Sequence, residues 1–119
     1  MTTLDEFFAG WEDSRRLFNG VRATIESFGP VSIRIGKSQV SFRGRRAFAW
    51  AWIPDRYLHG KHAPLVLTVS LNRRDTSARW KETVEPVPGR FNHHLELRAL
   101  AEIDAEVEGW LREAWEAAA

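Results

Sequence analysis

The chain of 119 residues contains no cysteine. Disulfides, thiol nucleophiles and every cysteine-ligated metal site are thereby excluded. No apolar run approaches the roughly 18 residues needed to cross a bilayer, so no membrane partner is expected. The opening residues, MTTLDEFFAG, carry acids where a secretory leader would carry bases, which predicts a cytoplasmic protein. The G-x-S-x-G of serine hydrolases is missing. A glycine-rich loop leading into a helix is missing too: Gly36-Lys37-Ser38 lacks the upstream glycine of a phosphate loop and joins two predicted strands. There are no repeats, low-complexity tracts or interdomain linker.

What is present is ordinary for a folded domain: 44% apolar and 28% charged residues. The length predicts one domain, residues 1–119, with one core. The net charge of +1 hides a segregation. Residues 1–28 hold three basic and five acidic side chains, residues 29–98 thirteen and five, and residues 99–119 one and six. A basic middle lies between acidic ends.

The elements follow from periodicity. Leu4, Phe7, Phe8, Trp11, Phe18, Val21, Ile25 and Phe28 recur every three or four residues, which predicts an N-terminal helix. Thr3 and Glu6 fit a capping box, and Gly29-Pro30 ends the element. Gly10 and Gly20 weaken the case for an unbroken rod. Period-two alternation predicts strands in VSIRI (31–35), QVSFR (39–43), RAFAWAWI (46–53), LVLTVSLN (65–72), RWKETVE (79–85) and HHLELR (93–98). PVPG (86–89) reads as a loop, and Trp80, Glu82 and Val84 as one side of their strand. Leu100, Ile103, Val107, Trp110, Leu111, Ala114 and Trp115 predict a C-terminal helix. The expected fold is α+β: an antiparallel sheet of five to six strands, flanked by an N-terminal and a C-terminal helix packed on one face.

The third strand sets the faces. Phe48, Trp50 and Trp52 alternate with Ala47, Ala49 and Ala51. Ranked by size, the rings join Phe42 beneath the helices, where truncating Trp50 would cost about 3–5 kcal/mol without touching binding. The opposite face then carries Arg34, Ser41, Arg43, Arg45, the alanines, Thr68, Ser70 and Asn72. That is a low basic floor able to accept phosphates, without aromatics on which bases could stack. Two rival expectations stand beside it. The cations Arg45, Arg46, Arg73, Arg74 and Arg79 pair with acids of the flanking helices, or the smooth face meets another protein, most simply a second copy.

Histidine supplies the remaining candidates. His59 and His62 have H-x-x-H spacing in a loop, but zinc needs further ligands and only Asp55 is near in sequence, so no metal site is assigned. His93 and His94 are neighbours in a strand and face opposite ways. One lies on the core side with Leu95 and Leu97. The other is free to act as a general base or a ligand contact.

The ordered segments FGPVSI (28–33), KSQVSF (37–42), RRAFAW (45–50), LTVSL (67–71), HHLEL (93–97) and IDAEVEGWLREAW (103–115) together resemble the bacterial domain of unknown function 5655. The resemblance covers nearly the whole chain. It implies no assigned activity, cofactor or catalytic residue, and a domain that stands alone or beside others. Lys37-Ser38, Arg46-Phe48-Ala49 and His94 match recurring positions without a role attached. The third strand is richer in tryptophan than the family pattern.

The expected function is a non-enzymatic binding or interaction module. It uses the basic face through Arg34, Lys37, Arg43, Arg45, Arg46 and His94 for an anionic ligand or nucleic acid. The alternative is a small enzyme acting on an anionic substrate through His94 with Lys37 or Arg46. Depth separates the two: a module needs only a shallow basic face, whereas an enzyme needs a pocket where His94 and a cation converge.

Overall fold

The computed structural model describes residues 2–119. The N-terminal stripe forms two helices, α1 (Leu4–Phe7) and α2 (Glu12–Glu26). Thr3 Oγ1 accepts the Glu6 N–H at 3.1 Å while Glu6 Oε1 accepts the Thr3 N–H at 3.2 Å, completing the capping box. Of the two glycines that weakened the case for an unbroken rod, Gly10 is where the helix breaks, its φ of 81° suiting glycine and straining other residues, while Gly20 lies within α2. α2 turns Leu17, Phe18, Val21 and Ile25 inward. At the other end a 3-10 turn, Leu100–Glu102, precedes α3 (Ala105–Ala117). Asp104 caps α3 by accepting the Val107 N–H at 3.1 Å.

Between the helices run β1 (Ser32–Ile35), β2 (Val40–Arg43), β3 (Ala47–Trp52), β4 (Leu65–Leu71), β5 (Glu82–Val87) and β6 (Arg90–Leu97). They form one antiparallel sheet in the order β1-β2-β3-β4-β6-β5. α2 and α3 pack on one face of it, centred on β3 and β4. The α+β architecture expected from the sequence is the observed one. Among the described residues no helix is long and apolar enough to cross a membrane.

Two local expectations need correction around β5. Pro86 and Val87 are strand rather than loop, and the reversal falls at Pro88-Gly89. Trp80 does not share a face with Glu82. The chain turns before β5, and Trp80 packs on Trp110 and His93, with ring centroids 4.1 and 4.8 Å away. Glu82 and Val84 are exposed. β5 is an outer strand whose pairing shifts register between Val84 and Val87.

The larger correction concerns β3. Ala49 and Ala51 are fully buried in the core, while Trp50 and Trp52 are half-buried on the face without helices. The registers fix this parity. Ala49 opposes Phe42 and Val69, and Ala51 opposes Val40 and Leu67, all of them core residues. Small side chains here leave room for α3 to approach the sheet. Phe48 departs from its even-numbered neighbours: a bulge opposite Phe42 and Arg43 makes it the extra residue, and it joins the core at 1% exposure. The indoles instead lie among small neighbours on the open face. Ser41 and Thr68 flank Trp50, yet they are only 7% and 4% exposed although no helix covers them. The rings beside them supply that cover.

Candidate functional site

One row of the open face crosses the whole sheet. Arg34 opposes Ser41, Ser41 opposes Trp50, Trp50 opposes Thr68, Thr68 opposes His94, and His94 opposes Glu82. Each of the six strands contributes one residue. Strand spacing of about 4.8 Å makes the row roughly 24 Å long. The next row toward the end of β3 runs from Trp52 through Val66 to Glu96. Between these rows, at the β4–β6–β5 side, lies an open cleft of about 260 Å³. Trp52, Pro54, Leu58 and Val66 give it an apolar wall, and His94, Glu82, Glu96 and Lys81 a polar one.

His94 is held in place from both sides. Its Nδ1 lies 2.7 Å from Thr68 Oγ1, and its Nε2 faces Glu82 Oε1 at 3.9 Å. A carboxylate on the Nε2 side favours the proton there, which makes the Thr68 hydroxyl the donor to Nδ1. Burial lowers the His94 pKa below its ordinary value, and Glu82 opposes this only in part. The ring is therefore neutral at pH 7 and presents one N–H to the cleft. Glu96 is drawn the other way. Burial disfavours its charge, but Lys81 Nζ at 3.4 Å and Arg98 at 3.6 Å outweigh that and keep it ionised.

His93, on the opposite face, is fully buried. The Asp75 N–H donates to its Nε2 at 2.9 Å, so the ring proton sits on Nδ1, which faces the Val69 carbonyl at 3.3 Å. The sequence-based division of the two histidines between core and open face holds. His59 is exposed, and its carbonyl lies 2.7 Å from His62 Nε2 at the rim of the cleft. Among the described residues no group of three or more metal-ligating side chains occurs.

The cations divide into two sets. Arg73 forms a paired contact with Glu113 at 2.9 Å and also binds Asp75, and Arg79 binds Asp104 and Glu106. That is the internal neutralisation expected for these two. It does not extend to β1–β3, where residues 29–54 contain five cations and no acid. Arg34 and Arg43 sit on the open face without an ion pair among the described residues. Lys37 is exposed in the β1–β2 turn.

Arg46 lies elsewhere than expected, and Arg45 is exposed in the β2–β3 turn. The Arg45 N–H donates to the Ala118 carbonyl at 2.6 Å, and Arg46 Nη1 to the Ala117 carbonyl at 3.1 Å. The Arg45 backbone and the Arg46 guanidinium thus bond carbonyls at the C-terminal end of α3 that lack helical partners, and there the Arg46 charge is favoured. His94 is therefore not joined by Lys37 or Arg46. The cation beside it is Lys81, whose backbone N–H also bonds the His94 carbonyl at 2.8 Å. Trp52, Lys81, Glu82 and Glu96 were missed as site residues. The signal for Glu96 was present: HHLEL places it two residues from His94, on the same face.

Fold and site together define a small α+β domain with one helix-covered and one open sheet face, the open face bearing a cleft. The description that matches is "Domain of unknown function (DUF5655)", over residues 4–118. The chain belongs to that family. Neither the curated proteins nor the solved structures contain a match to it.

Proposed function

We propose that the chain is a binding module for an anionic ligand, held on the open sheet face with part of it in the Trp52–His94 cleft. The observation that carries this reading is the cross-strand row. Arg34, without an ion pair among the described residues, stands at one end, Trp50 in the middle, and the neutral His94 imidazole with Glu82 at the other, with no helix above; Arg43 and Trp52 flank the row on β2 and β3. A cleft of about 260 Å³ approaches the small-molecule range of about 300–1,000 Å³.

The test is a titration of ¹⁵N-labelled protein with a panel of anions: pyrophosphate, citrate, phosphoserine and adenosine monophosphate. Shifts are expected at the Arg34, Arg43 and His94 amides and the Trp52 indole. They should weaken between about 20 and about 200 mM salt, because exposed charges are screened. Shifts confined to the helix side, or none at low salt, would refute the reading.

A second reading keeps His94 as a general base on a bound anion. It is favoured by the neutral ring, its Thr68 contact and its convergence with Lys81 in a concave site. In that case the ligand would be turned over by the parent and not by His94→Gln at matched occupancy. A His94→Ala variant that melts lower but binds and turns over ligand as the parent does would reduce His94 to packing.

A further inference from the structure

We propose that the ligand of the open face is a nucleobase-bearing phosphate: the base stacks on Trp52 or Trp50 with its polar edge toward His94, and the phosphate lies against Arg34 and Arg43. This rests on the reading of that face as a binding site. Three observations specify the class. Trp50 and Trp52 project from one strand two residues apart, about 7 Å along the sheet, both half-buried on the open face, and Trp52 lines the cleft. Indole faces are sequence-tolerant platforms for flat heteroaromatic rings.

The charge on either side of the platform is opposite in sign. Arg34 lies two strands from Trp50, with the small Ser41 between them. That distance of about 10 Å is bridged by an extended guanidinium reaching back over a low serine. Toward β5 the row offers the His94 N–H and the Glu82 carboxylate. The N–H matches the acceptors on the edge of a base, and the carboxylate matches its amino groups and repels a phosphate; Lys81, the cation on that side, is held by Glu96. A purely anionic ligand would have no use for that end, and a purely apolar one no use for the arginines. The polarity therefore orients the ligand as well as selecting it.

The same chemistry comes from a free nucleotide or from a single strand, and two arms separate them. Adenosine monophosphate, adenosine and ribose 5-phosphate are titrated first, then an unstructured single strand of about eight nucleotides. The nucleotide is expected to bind at least about ten-fold more tightly than either fragment, since each lacks one of the two contacts. Trp52→Ala or Trp50→Ala, according to which indole carries the base, should weaken it about ten-fold and the corresponding Phe variant less, and the Arg34→Gln/Arg43→Gln pair should weaken it and flatten its salt dependence. Thermal melting of each variant checks its fold, and the Phe variant keeps the test valid where the Ala variant melts early.

A strand that binds more tightly than the nucleotide identifies single strands as the source, and the reverse identifies the free nucleotide. Ribose 5-phosphate binding within about three-fold of the nucleotide would overturn the stacked base and leave the anion site standing. Another panel anion shifting the face while the nucleotide and strand do not would have the same consequence. If no member of either panel shifts it, both proposals fall together.

Discussion

Phe42 and Trp52 carry large rings from adjacent strands into different surroundings. Phe42 is fully buried among core residues, while Trp52 keeps an edge in solvent. Phe42→Ala should therefore cost about 3–5 kcal/mol, and Trp52→Ala about 1–2 kcal/mol. Urea unfolding with a common slope measures both, and equal losses would return Trp52 to the interior. Ala51→Leu should cost about 1–3 kcal/mol, because extra methyls there press on α3 and the β4 leucines.

The histidines set a pH dependence. The folded-state pKa values of His93 and His94 lie below 6.5, burial being the main cause in each. As pH falls below about 6.5 the unfolded chain takes up protons that the folded one refuses, so stability drops. Above that range the contribution is complete. Asp75 acts in a lower window. Burial opposes its charge, but hydrogen bonds from Trp80, Arg73 and the Ser77 N–H prevail and hold it at about 2. Its contribution is present above about 3.8 and lost as pH falls toward 2. Melting curves from pH 7.5 to 5.5 should shift downward for the parent, and the slope should shrink in His93→Gln. An unchanged slope would mean that His93 takes up its proton in the fold as readily as in the unfolded chain.

At the level of the elements, the β2–β3 turn is fixed by its contact with the end of α3. A Cβ at Gly44 would collide with the Ala118 carbonyl oxygen. Gly44→Ala is therefore expected to cost about 1–3 kcal/mol, read as a lowered melting temperature, and also to loosen the Arg45 and Arg46 bonds to α3. Unchanged stability would show that the turn moves freely.

Legibility varied among these elements for physical reasons. β4 could be read directly, because leucines alternate with hydroxyls and only one face suits a core. The same holds for α2 and α3, whose apolar stripes have polar backs. β3 could not, because both of its faces are apolar and size was the only guide. What decided the matter was the register against Phe42 and Val69, which lies in the neighbouring strands and not in β3 itself. The candidate arginines were split in the same way. Arg34 and Arg43 follow strand alternation, whereas Arg45 and Arg46 sit in a turn, where alternation has no force. Glu82 was obscured because the turn before β5 breaks the pattern begun by Trp80.

For the molecule as a whole, the near-zero net charge is the sum of separated regions. Acids of α3 and its approach neutralise Arg73 and Arg79, which fastens the β4–β5 connection to the helix layer. The strands on the far side keep their positive charge uncompensated. Of the two edge strands, β1 and β5, the second leaves Val84 and Val87 in solvent beside Glu85 and Pro86. A proline offers no N–H to a docking strand, and the register shift there bends the ladder out of line. Together they act as a stopper against end-to-end polymerisation of sheets. Pro86→Thr would draw that stopper, and concentrated solutions of the variant should turn cloudy and bind amyloid dyes while the parent stays clear.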